Sequence, residues 1–113
     1  CHTGSFGLKD RMNYVFPVEL DQFCRMHIFN PKELCLLEHL DKFFDSGVGV
    51  VRIEGERYRP KAIFEIVKAY CRVRDAYQEG RGKKLDKKAL EDDLSRFSPA
   101  GFTKGHYFRG ILD

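Results

Sequence analysis

Two arginines and two glutamates fall within six residues in Val50-Val51-Arg52-Ile53-Glu54-Gly55-Glu56-Arg57. An arginine presents a planar fork that grips a carboxylate or a phosphate, and a neighbouring glutamate can take a proton as a general base or stand beside a metal. The spacing matters because side chains alternate between faces on a strand. Arg52 and Glu54 therefore share one face, and Val51 and Ile53 share the other. Two readings stay open: an ion pair on a half-exposed sheet, or a polar pair lining a pocket at the carboxyl end of a parallel strand, where α/β folds place their chemistry. Arg57 is a second cation for the same mouth. His27 is a candidate catalytic group, although a lone histidine is more often a hydrogen-bonded structural residue.

Cys35 is the fifth candidate. Asn30, Pro31 and Glu33 are placed as N-cap, first and third residues of a helix, which would put Cys35 in its first turn. There the helix dipole favours a thiolate, a better nucleophile or metal ligand than a mid-helix cysteine. In the tail from Phe97 to Gly110, aromatics, glycines and cations mix without a period, and His106 and Arg109 are polar groups suited to a substrate pocket. That mixture fits nucleic-acid contact or an irregular segment wedged against a core.

Strands and helices must position these groups. Phe6–Asn13 has loop composition, and Pro17 makes residues 14–18 an edge strand or extended arm, because proline cannot donate to a ladder. Arg25–Phe29 alternates as a strand. A helix from Asn30 follows, with Leu34, Leu37, Leu40 and Phe44 on its apolar face and a stop at Ser46-Gly47. Gly49–Glu54 is the next strand. Pro60 opens a second helix with Ile63, Ile66, Val67, Tyr70, Val73 and Tyr77 at helical spacing up to Gly80, and Cys71 beside that stripe reads as a core or boundary residue. Asp86 caps a third helix whose Leu90, Leu94 and Phe97 share a face, which leaves Glu91-Asp92-Asp93 toward solvent. The expected fold class is α/β: two consecutive parallel βα units, an N-terminal extended arm or hairpin, and a third C-terminal helix. Residues 1–24 would form the N-terminal loop and edge strand, and 25–113 the βα-βα-α portion. Two such units cannot close a sheet alone, so their strand edges would be covered by the arm or paired with a neighbouring chain, as in a homodimer.

A chain of 113 residues with a formal net charge of +3 suits one small domain with a modest core. Its charges are interleaved, which argues for neither a nucleic-acid nor a membrane surface. No apolar stretch approaches the roughly 18 residues that span a bilayer, and no signal peptide is visible. Cysteines at 1, 24, 35 and 71 lack a C-x-x-C pair, so a zinc site has little support, each is expected to be a reduced thiol, and the chain reads as cytoplasmic. Cys1-His2-Thr3-Gly4-Ser5 has the look of a junction, and the chain that of a truncated piece of a larger protein.

Three segments carry a family likeness. Phe29-Asn30-Pro31-Lys32-Glu33-Leu34-Cys35-Leu36-Leu37 resembles the segment of asparagine, small residue, base, acid, leucine and cysteine in the collagenase-like peptidases, peptidase family U32. Arg52-Ile53-Glu54-Gly55 is similar to that family's signature, and Gly101-Phe102-Thr103-Lys104-Gly105-His106-Tyr107-Phe108 to a segment further downstream. The matches are collinear and span most of the chain after Arg25. The signature often has lysine at the position of Arg52, and an arginine directly after the glycine, where this chain has Glu56 and then Arg57.

The resemblance implies the last βα units of a (β/α) barrel, with the rest of that barrel as their neighbour. It also implies a hydrolase acting on a protein or peptide substrate, whose catalytic type is unassigned and of which the fragment alone is inactive. The alternative it carries is part of an iron–sulfur protein that supports hydroxylation of RNA or of a ubiquinone precursor. Cys35 then matches the last of four cysteines that bind a [4Fe-4S] cluster. No H-E-x-x-H or G-x-S-x-G motif is present.

Overall fold

The computed structural model describes residues 4–105 and Tyr107. The chain divides into two compact units, Cys1–Glu33 and Leu34–Asp113.

The first unit is an antiparallel sheet of β1 (Gly4–Lys9), β2 (Val15–Leu20) and β3 (Met26–Ile28), in the order β1-β2-β3. Its first turn is held by the Asp10 carboxylate, which accepts from the backbone N–H of Met12 and Tyr14 at 2.9 Å, while Asn13 takes φ 65°. Short polar side chains bonding their own backbone make such turns, and asparagine tolerates the left-handed region. Residues 6–9, expected as loop, are therefore strand.

Pro17 lies in the central strand, not an edge. The β1–β2 register sets Gly7 opposite Pro17, whereas the β2–β3 ladder covers only Val18–Leu20 against Met26–Ile28. Pro17 stands just beyond that ladder and contributes only its carbonyl, which accepts from Phe29 N at 2.8 Å. A missing N–H costs nothing at this position. The strand expected over Arg25–Phe29 exists as β3, but it pairs antiparallel with β2 and does not open a parallel βα unit.

The second unit holds the larger core. The helix expected from Asn30 does not start there. Asn30 Oδ1 accepts from Lys32 N at 3.3 Å in a local turn, and Glu33–Leu34 form a short strand, β4. A 3-10 turn over Leu37–His39 then leads into α1 (Leu40–Asp45). Asparagine before proline satisfies a turn as well as a helix start, and pairing of β4 with β5 (Phe102–Thr103) wins locally. The two strands of that pair run parallel.

The expected stop is present. Gly47 N–H reaches Phe44 O and Val48 N–H reaches Phe43 O, both at 3.1 Å, with Gly47 at φ 94°. This crossed pair closes the last helical carbonyls and needs a residue free to adopt positive φ.

Helix α2 (Pro60–Gln78) begins on proline at its first position and ends in the same way, with Gly80 at φ 73° and Arg81 N–H on Ala76 O at 2.7 Å. Its buried stripe is Ala62, Ile66, Ala69, Val73 and Ala76, so the alanines rather than Val67 face the core. Asp86 caps α3 (Lys87–Leu94) by accepting from Ala89 N at 3.0 Å, as its position predicts. Leu37, Leu40, Ile66, Ala69, Val73 and Leu94 form the core with Cys35, and Ile53, Tyr58, Tyr70, Leu90 and Phe97 pack on it. Leu37 and Val73 are the largest wholly enclosed side chains, each contributing about 1.5–3 kcal/mol by leaving water.

Gly49–Glu54 is not a strand. It runs without a ladder from the end of α1 to the start of α2. The chain is thus mixed α/β, with a three-stranded antiparallel sheet, one short parallel pair and three helices, and no barrel is formed among the described residues.

Candidate functional site

Arg52 and Glu54 meet as the two-residue spacing requires. A guanidinium N–H of Arg52 donates to Glu54 Oε1, and the two side chains are 82% and 63% exposed. The strand that would have presented them is absent, and its alternation is lost, since Val51 is 42% exposed. Val50, Arg52 and Glu54 face outward, whereas Ile53 packs on the core. The glycine that follows lies close against α2, since a Cβ on Gly55 would come within 3.2 Å of Ile63 Cγ1. Arg57 is exposed in the turn after it, which is closed by Tyr58 N–H on Gly55 O at 3.1 Å. One short arm therefore carries two cations, Arg52 and Arg57, and two carboxylates, Glu54 and Glu56. At this exposure the ion pair adds little to stability.

His27 belongs to the first unit, whereas Arg52, Glu54 and Arg57 belong to the second. Its Nε2 lies 3.2 Å from Asp21 Oδ2, which also accepts from Arg25 Nε at 2.6 Å. Partial desolvation raises the Asp21 carboxyl, but hydrogen bonds from Arg25, His27 and Phe23 outweigh it and hold the group down at about 2. His27 is thus one partner in a carboxylate-centred turn. His106 and Arg109 lie outside the described residues.

Cys35 is buried at 3% exposure, between β4 and the 3-10 turn, and not at a helix N-terminus. Burial pushes its thiol up, and the Glu91 carboxylate adds to this. The Leu37 N–H, the Tyr70 hydroxyl and Lys104 pull the other way without prevailing. The thiol is kept neutral, and the expectation of a dipole-stabilised thiolate fails because no helix begins before it. Tyr70 Oη lies 3.9 Å from Cys35 Sγ and accepts from Leu36 N at 3.3 Å. Burial, followed by the neighbouring Cys35, lifts that hydroxyl well above its ordinary range. Cys24 is disulfide-bonded, contrary to the expectation of four reduced thiols, while Cys35 and Cys71 are free.

Beside Cys35 sits a polar group that the sequence does not announce. The β4–β5 pairing brings Cys35 N–H to Thr103 O at 3.0 Å, and the next residue, Lys104, turns inward. Its Nζ donates to Glu91 Oε2 at 2.7 Å and to the Cys35 carbonyl at 3.1 Å, and lies 3.9 Å from Glu38 Oε2. Glu91 is 7% exposed, which corrects its expected solvent-facing position. It sits three residues before Leu94, on the border of the apolar face, and that placement is the one signal that could have found it. An ammonium that donates to two acceptors and lies near a second carboxylate pins the segment after Gly101 to α3 and to the residue that follows β4.

Among the described residues no three His, Cys, Asp or Glu side chains converge as a metal-ligating group. Cys35, enclosed and facing a hydroxyl, does not by itself make a ligand set for a cluster.

The chain belongs to peptidase family U32, whose model matches residues 9–110. It is 29% identical over 110 residues to a collagenase of Porphyromonas gingivalis strain ATCC BAA-308 / W83, which covers 95% of this chain and 25% of that protein. A second Porphyromonas gingivalis collagenase is 27% identical over 81 residues, 72% of this chain and 22% of its own length. The tRNA hydroxylation protein P2 of Bacillus subtilis strain 168 is 30% identical over 70 residues, 62% of this chain and 22% of its own length. The chain thus spans about a quarter of the length of these curated relatives. No solved structure matches. Among the described residues no helix is long and apolar enough to cross a membrane.

Proposed function

We propose that this chain is a portion of a collagenase-like peptidase acting on protein or peptide substrates. The observation that carries the reading is the Arg52–Glu54 pair, held side by side on the open face of the second unit while Ile53 anchors the same segment to the core. Arg52 holds a substrate carboxylate or carbonyl by its fork, and Glu54 takes a proton from the attacking water as general base. Arg57 supplies a further cation for the substrate, and His106 and Arg109 are kept as candidate substrate-binding residues. His27, in the first unit, stays a separate candidate for proton transfer. The 113 residues alone are inactive, because an arm this exposed does not exclude water from a reacting bond.

A second reading takes its support from the relative named for tRNA hydroxylation. In it Cys35 is one thiolate ligand of a [4Fe-4S] cluster, and the substrate is RNA or a ubiquinone precursor. The neutral, buried state of Cys35 weighs against it for the residues described.

Hydrolysis of gelatin and of collagen-derived peptides tests the proposal, comparing the 113-residue chain with the protein at the length of its relatives. Cleavage by the longer protein alone is the expected result. No cleavage by either, together with a change in RNA hydroxylation when the longer protein is deleted in cells, would replace it with the second reading.

A further inference from the structure

Within the second unit, helices α2 and α3 leave a cleft of about 260 Å³ between them. Its apolar lining is Ala69 of α2 with Leu90 and Leu94 of α3. A side chain larger than the Ala69 methyl would fill the space.

The rest of the lining is charged. Lys68 and Arg72 stand one turn apart on α2, and Arg96 lies in the 3-10 turn Ser95–Phe97 that follows α3. Like charges at that helical spacing repel, so the pair does not serve the helix. Arg74, on the same helix, pairs with Asp75 at 2.9 Å, whereas Arg72 has no ion-pair or hydrogen-bond partner among the described residues. Lys68 and Arg96 are placed by rings: Lys68 Nζ lies 6.0 Å from the Phe64 ring centroid, and the Arg96 guanidinium 4.7 Å from that of Phe97. A ring meets the cation's charge and leaves N–H groups to donate elsewhere. Glu65 Oε2 is 3.9 Å from Arg96 Nη2, beyond hydrogen-bond reach. Three cations against the carboxylates of Glu65 and Asp93 leave the cleft net positive.

We infer that this cleft binds the phosphate group of a small phosphate monoester. Such a group carries about −1.5 to −2 charges at pH 7 and three strong acceptor oxygens, and an arginine fork takes two of them at once. The volume falls below the roughly 300–1,000 Å³ of pockets that enclose drug-sized ligands, so it admits the phosphate and the first atoms attached to it. A polyanion suits it less well. Glu65 and Asp93 line the same space and Asp92 is exposed beside it, and all three would repel flanking phosphates. The two lining carboxylates suit the hydroxyls of an esterified sugar or polyol instead. The inference depends neither on peptide hydrolysis nor on the Arg52–Glu54 pair.

A chemical-shift titration of the ¹⁵N-labelled 113-residue chain tests it, with glucose 6-phosphate, glucose and inorganic phosphate as separate arms. Amides of residues 65–72 and 90–96 should shift saturably with glucose 6-phosphate and stay in place with glucose. Inorganic phosphate should give the same pattern at lower affinity, since it lacks the hydroxyls. Arg72→Gln should weaken glucose 6-phosphate binding by about tenfold or more at an unchanged thermal midpoint, the loss of one charge-assisted contact. Arg74→Gln, whose guanidinium Asp75 already holds, should leave binding as it was. No saturable shift with either phosphate would overturn the inference, and so would equal weakening by the two variants, which would reduce it to diffuse charge. Equal affinity for inorganic phosphate would make the ligand the free ion, and tighter binding of a single-stranded RNA oligonucleotide at the same amides would make it a polyanion; either result contradicts the monoester.

Discussion

Lys104 and Glu91 show what a buried charge does at this size. Each completes the other, and Lys104 also ties down the Cys35 carbonyl. Lys104→Met leaves a carboxylate that is 7% exposed without its ammonium, and urea denaturation should register a loss of roughly 1–3 kcal/mol. The double variant Lys104→Met, Glu91→Leu should recover part of that loss, since an apolar pair of similar volume avoids the desolvation cost. The Cys35 thiol supplies a second test. Its folded value is raised above 9.0, so the stability it contributes is whole below pH 9.0 and is lost as pH rises through the folded value. Labelling at pH 8 with a thiol reagent should therefore modify half-buried Cys71 first and Cys35 only on unfolding. Arg52 and Glu54 were legible as a pair because residues two apart meet on extended backbone. Lys104 and Glu91 were not, since thirteen residues separate them and their contact depends on β5, just before Lys104, being held by its pairing with distant β4.

Among the elements, those that end or begin on a backbone requirement were read correctly. Pro60 at the first position of α2, Asp86 as the cap of α3, and the stops at Gly47 and Gly80 depend on a single residue's geometry. Gly47 has φ 94° and no atom within 4 Å of an added Cβ, so Gly47→Ala meets backbone strain alone. The expected cost is about 1–2 kcal/mol, measurable as a lower urea midpoint with an unchanged slope. Elements whose state depends on a distant partner were misread. Asn30-Pro31 carries the chemistry of both a helix cap and a turn, and the choice is made by Thr103, which pairs with Cys35 from far along the chain. Pro17 suggested an edge because the short reach of β3 was not visible. Gly49–Glu54 has the sequence of a strand, and sequence pattern does not reveal whether the pairing strand is present.

For the molecule as a whole, membership of peptidase family U32 was legible from three collinear segments, and the family match over residues 9–110 agrees. Fold class was legible as α/β, although the order of units was not. The first strands form an antiparallel sheet of their own, and the compact units divide after Glu33. The central claim is that the exposed Arg52–Glu54 pair serves chemistry rather than stability, and Glu54→Gln tests it most directly. The substitution keeps shape and removes the base, at a side chain that is 63% exposed. The thermal midpoint should stay unchanged while kcat/KM for a collagen-derived peptide falls by about 100-fold or more in the protein at the length of its relatives. Undiminished hydrolysis by a folded Glu54→Gln protein would contradict the claim and return the pair to the status of a solvated surface ion pair.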